Sequence, residues 1–133
     1  MTFNAELMDN GETRLRFASA DASVYIRTIA GEHGSWQNSH YHKTLQETYI
    51  VQEGWIAVAE IINEKMHLRI ERQNSVFTSQ PNIPHNLYLP SGAVIHTVKH
   101  GRVTPGDWYS SQALDELTKK LSEKMIISIS KEA

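Results

Sequence analysis

The run His40 to Gly54, HYHKTLQETYIVQEG, decides how this chain is read. If residues 38–43 are extended, side chains alternate between faces, so His40 and His42 point one way and Tyr41 the other. A second extended run starts at Glu47, and the same alternation puts Glu47, Tyr49 and Val51 on one face. Leu45 and Gln46 fall where the chain turns, so a hairpin would carry Glu47 back beside the two imidazoles. Two histidines and a carboxylate suit a first-row divalent metal and leave room for a third imidazole and exchangeable water.

Outward from that run, the chain reads as short strands rich in β-branched and aromatic residues. They are Thr13 to Ser19, Ala22 to Ile29, Glu47 to Gln52, Trp55 to Ile62, Met66 to Arg72 and Ala93 to Lys99. Gly, Asn, Asp and Pro punctuate the intervals, and no helical period separates the strands, which predicts an all-β sandwich or barrel. From Ser111 the pattern changes. Leu114, Leu117, Leu121 and Met125 recur at helical spacing, predicting one amphipathic helix over roughly 111–126. The tail IISISKEA reads as a short edge strand or a frayed end. A length of 133 residues fits one domain over 1–133, with a barrel over roughly 13–110.

Composition narrows the function. A net charge of −2 with interspersed signs supplies no basic stripe for nucleic acid, and no apolar run is long enough to span a membrane. Cysteine is absent, so a transition-metal site must be built from imidazole and carboxylate. The default expectation is a cytoplasmic protein with neither nucleic-acid nor membrane partners. Among the other histidines, His85 follows Pro84 at a rigid start to an extended run and is the best-directed. His33 sits in a Gly-rich turn, His67 begins a charged strand, and His96 and His100 share one face of a late strand.

Gly34, His40, His42, Glu47 and Gly54 together have the form G-x5-H-x-H-x4-E-x6-G, which resembles the first motif of the cupin superfamily. The second cupin motif, G-x5-P-x-G-x2-H-x3-N, is matched in part by Asn74 to Leu89. Asn74 and Asn82 stand where the family has glycines, and asparagine best tolerates the left-handed backbone such turns need. Gln80 replaces the proline and Leu89 the terminal asparagine.

The resemblance implies a small single-domain cupin: an RmlC-like double-stranded β-helix, or jelly roll, with one C-terminal amphipathic helix. It also implies a divalent transition metal (Zn, Fe, Mn, Ni, Cu or Co) held by His40, His42, Glu47 and His85. Within such a barrel, Glu47 and His96 are the expected proton carriers, and Tyr49, Leu87 and His100 the expected substrate contacts. Trp36, Trp55, Tyr88 and Trp108 read as core or interface aromatics. The polar set Gln37, Asn38, Lys43, Gln46, Asn82, Asn86 and Lys99 favours a hydroxylated or anionic small molecule. Three classes stay open: a metal-dependent isomerase or epimerase of a carbohydrate-like or small carboxylate substrate, an Fe(II) dioxygenase, and a non-catalytic ligand-binding or sensor protein. Exposed strand edges need cover, and the N-terminal strands, the helix stripe and Trp108 are available to provide it between two subunits, which predicts a homodimer.

Overall fold

The computed structural model describes residues 2–21 and 23–132. Its strands are β1 Thr2–Leu7, β2 Thr13–Ala18, β3 Val24–Ile29, β4 Ser35–Trp36, β5 His40–Tyr41 and β6 Leu45–Glu53. They continue as β7 Trp55–Ile62, β8 Lys65–Arg72, β9 Val76–Ser79, β10 His85–Leu89, β11 Val94–Gly101 and β12 Tyr109–Ser110. Helices α1 Gln112–Thr118 and α2 Glu123–Glu132 follow. Ala22, the first residue of the expected second strand, lies outside the described residues.

The strands form two antiparallel sheets facing one another. The first has the order β1-β2-β3-β11-β6-β9; the second has the order β12-β5-β10-β7-β8, with β4 also paired to β10. Alternation supplies the core. Tyr49 and Val51 from the first sheet meet Ile56, Val58, Leu87 and Leu89 from the second, and Ile95 and Ala93 complete the cluster. Burying each large side chain there contributes on the order of 1.5–3 kcal/mol relative to exposure.

β7 is buried on both faces, because the helices cover the outside of the second sheet. Ala57 and Ala59 are small enough to bring the backbone of β7 close to Leu114 and Ile126, and Trp36 and Tyr88 fill the remaining space. Trp36 and Tyr88 thus belong to the core, as their sequence reading has it, with Trp55 packed at the edge of the same cluster.

The helical region departs from expectation. Two helices replace one, since Ser111 caps α1 through Leu114 N–H while Ser122 accepts from Met125 N–H at the start of the second. At the break the indole N–H of Trp36 donates to the Leu121 carbonyl at 3.0 Å. The tail as far as Glu132 is helical, not a strand, because Ile126 is fully buried against the sheet and packing overrides its β-branched composition; Ala133 lies outside the described residues. The buried stripe runs through Leu114, Thr118 and Ile126; Leu117 is 37% exposed and Met125 52% exposed.

The turns of the second motif are as the asparagines imply. Asn74 has φ 73° and Asn82 φ 66°, both left-handed. Gly34, at φ 70°, also lacks room for a side chain, since a Cβ there would meet the Tyr88 hydroxyl at 2.7 Å.

Candidate metal centre

The site bridges the two sheets. His40 lies on β5 and His85 on β10, directly paired across the second sheet, while Glu47 projects inward from β6 in the first. His42 follows β5 as the chain crosses between sheets. The expected hairpin is therefore corrected: β5 pairs with β10 and β12, β6 pairs with β11 and β9, and Leu45 and Gln46 belong to β6. Glu47 meets the histidines by facing them across the barrel interior.

Asp107 holds the crossing in place. Its carboxylate accepts backbone N–H groups from Lys43 (2.7 Å), Thr44 (3.0 Å) and Leu45 (3.1 Å), and the Thr44 hydroxyl at 2.8 Å. Burial opposes its ionisation, but these donors outweigh burial and hold its carboxyl below the usual range. Asp107 is absent from the sequence reading. The only local signal is its position after Gly106 in TPGDW, a turn signature without an indication of the partners that tertiary structure brings.

The Nε2 atoms of His42, His85 and His40 lie 2.7, 2.9 and 3.3 Å from Glu47 Oε1. One ligand atom from each of the four residues fits within a mutual span of 4.8 Å. His42, Glu47 and His85 are buried, and His40 is nearly so.

The opposite ring nitrogens define what this cluster is for. His40 Nδ1 faces the Asn38 carbonyl and His85 Nδ1 the Ile83 carbonyl, each at 3.0 Å, and His42 Nδ1 faces the Asp107 carbonyl. A carbonyl only accepts, so each Nδ1 carries a proton and donates it, leaving an Nε2 lone pair aimed inward. Lone pairs on three imidazoles then confront a carboxylate oxygen, an arrangement favourable only with positive charge among them. Protons supply that charge at a cost, since burial and the neighbouring His85 pull His40 down. Burial likewise disfavours the charged form of His85, but its contacts with Glu47 win and raise it. Burial would raise Glu47, yet the three histidines hold it well below the ordinary carboxylate value. A divalent transition metal satisfies all four donors at once, and this donor set suits one.

Beside the cluster lies a cavity of about 90 Å³, walled by the inward residues of the first sheet and roofed by Trp108. Trp108 is 46% exposed and stacks on the His40 ring at 5.3 Å, so it is not a core aromatic. Tyr49 lines the cavity; Leu87 instead packs in the core at 1% exposure. Of the polar set, Gln37 and Lys99 line the cavity. Asn86 bonds Thr118 beneath α1, and Gln46 bonds Gln80 on the opposite face of β6. Lys43 sits over the Tyr109 ring.

His96 and His100 are on the other side of the wall. Ile95, Thr97 and Lys99 are the inward residues of β11, so alternation turns His96, Val98 and His100 outward. His96 contacts Tyr25 and Gln52, and His100 contacts Thr48 Oγ1 at 2.7 Å. Neither reaches the cavity, so the roles expected of them, His96 as proton carrier and His100 as substrate contact, are corrected on geometric grounds.

No protein-family model and no curated protein matches this sequence. Solved structures do match. An oxalate decarboxylase from Lactobacillus farciminis, in a formate complex, superposes with a TM-score of 0.65 at 14% identity, covering 97% of this chain and 39% of its own. The Bacillus subtilis oxalate decarboxylase, described with Mn(II) centres, gives 0.66 at 13% identity over 96% of this chain and 34% of that one. A domain of Drosophila melanogaster CENP-C gives 0.60 at 12% identity, covering 74% of this chain and 72% of that one. These neighbours share the cupin barrel. This chain has the cupin fold. This chain spans well under half the length of the two decarboxylases, and identities this low carry the fold alone.

Proposed function

We propose that this cupin is a metal-dependent enzyme that rearranges a small polar molecule by moving a proton, an isomerisation or epimerisation. The reading rests on one observation: three Nδ1–H groups fixed on backbone carbonyls present three Nε2 lone pairs to one buried carboxylate. A divalent metal on His40, His42, Glu47 and His85 supplies Lewis acidity toward a substrate carbonyl or hydroxyl. The protein's own residues do the rest. Trp108 and Tyr49 bound the cavity and limit water, and Gln37, Thr28 and Thr97 offer hydrogen bonds to hydroxyl or carbonyl groups. With His96 outside, Glu47 is the expected proton carrier that lines the cavity, and it would act through the carboxylate oxygen that the histidines leave free.

Elemental analysis of the purified protein beside a His42→Ala variant tests the metal. Stoichiometric metal in the wild type and its loss in the variant are expected; equal retention in both would overturn the site. Turnover of aldoses and small hydroxy acids under anaerobic conditions tests the reaction. Oxygen uptake with Fe(II) and no anaerobic conversion would replace isomerase by dioxygenase.

We also propose that the whole chain acts as one domain and that two copies pair through the outer face of the first sheet. That face has no helix over it among the described residues, and it exposes Phe3, Leu7, Ile29, Ile50, Val76 and Val98. Of the helix stripe assigned to this purpose from sequence, Leu114 and Leu121 pack on the second sheet, while Leu117 and Met125 stay exposed. A monomeric mass at micromolar concentration refutes the pairing.

A further inference from the structure

The cavity wall facing the histidines is cationic. Arg14 and Arg16 point inward from β2, and Lys99 points inward from β11, where it is paired with Glu47 across the sheet. Among the described residues Glu47 is the one carboxylate lining the cavity, and the three histidines already engage it.

The other nearby acids only partly balance the wall. Glu12 accepts from Arg14 Nη2 at 3.0 Å and also from Gln37, and Glu6 meets Arg16 Nε at 3.3 Å. Arg14 Nε is buried with no hydrogen-bond partner. Among the described residues Lys99 has neither an ion pair nor a side-chain hydrogen bond, and the ion pairs on this wall are those of Arg14 and Arg16. Buried donors left in this state cost free energy until something accepts from them, and three cations beside a divalent metal add an electrostatic demand for an anion. The space is small. About 90 Å³ holds a handful of waters and hence a ligand of several heavy atoms, too little for a nucleotide or an oligosaccharide.

We propose that the cavity binds a small carboxylate, its anionic group held by Arg14, Arg16 and Lys99 while the rest of the molecule faces the His40, His42, Glu47 and His85 cluster. This narrows the substrate class proposed above and rests on that reading of the site. A planar carboxylate matches the guanidinium fork, and a neutral sugar leaves the same donors without a counter-charge.

Calorimetric titration of the purified protein tests it with malonate and pyruvate, each against its uncharged amide, malonamide or pyruvamide. At least one acid is expected to bind, and its amide to bind about tenfold or more weakly. Lys99→Met and Arg16→Gln should each weaken that acid about tenfold while leaving metal content and melting temperature near wild type. Equal affinity for acid and amide, failure of both acids to bind, or wild-type affinity in both variants overturns the proposal. Comparing acid with amide on the wild type needs no variant to fold. The same titrations after chelator treatment separate the two readings. Acid selectivity that persists without metal, and is lost in Lys99→Met, supports the anion site even if the metal reading fails. Stoichiometric metal with no acid preference overturns the anion site alone.

Discussion

His40, His42 and His85 on one side of the barrel wall and His96 and His100 on the other show how little a histidine's identity says about its role. The inner three each give one ring nitrogen to a backbone carbonyl and the other to a shared carboxylate. The outer two spend their contacts on Tyr25, Gln52 and Thr48, side chains of the same sheet face. A backbone acceptor fixes tautomer and ring direction together, whereas hydroxyl and amide partners can turn with the ring. Preorganisation separates a ligand from a surface histidine.

The strongest way to break the contrast is His42→Ala. Removing one of four donors should weaken metal binding by roughly a hundredfold or more, read by elemental analysis and competitive chelation. Asp107→Ala comes next, although Asp107 supplies no ligand atom. Freeing the N–H groups of Lys43, Thr44 and Leu45 should cost about 1–3 kcal/mol of stability and lower metal affinity about 10–100-fold. Unchanged affinity would mean that the crossing holds its shape alone.

pH probes the inner set without metal. Glu47 lies well below its ordinary 4.5, so its stabilisation is complete above that value and fades as pH falls through the depressed one. His85 lies above its ordinary 6.5, so its contribution is complete below that value and fades as pH rises through the raised one. After chelation the melting temperature should therefore peak between those two values and flatten in Glu47→Gln. A profile that Glu47→Gln leaves unchanged would show that the charges are not coupled. The smallest effect belongs to His96→Gln and His100→Gln, which should keep full metal content and shift stability by no more than about 1 kcal/mol.

Much of the inner set is legible because local rules govern it. Strand alternation joins His40 to His42 and Glu47 to Tyr49, and asparagine's tolerance of positive φ explains Asn74 and Asn82 before any contact is known. What is not legible depends on partners distant in sequence. Alternation correctly groups His96 with His100, yet which face turns inward is settled by the packing of Ile95 and Thr97, and apolar residues occur on both faces of β11. The tail from Ile126 to Ser130 looks like a strand by propensity, and only the surface beneath it makes it a helix. The supposed hairpin fails for the same kind of reason, because Asp107, some sixty residues away, receives the backbone donors of the crossing.

The contact between His42 and the Asp107 carbonyl spans 65 positions. During synthesis, His40, His42 and Glu47 emerge early, but the loop that orients His42 follows the last long strand. Closing so wide a loop comes late in folding, since its entropy cost is offset only once the sheets on either side have docked. A metal captured with full affinity therefore reports a finished barrel, and during refolding its uptake should lag behind the formation of β6 and β7.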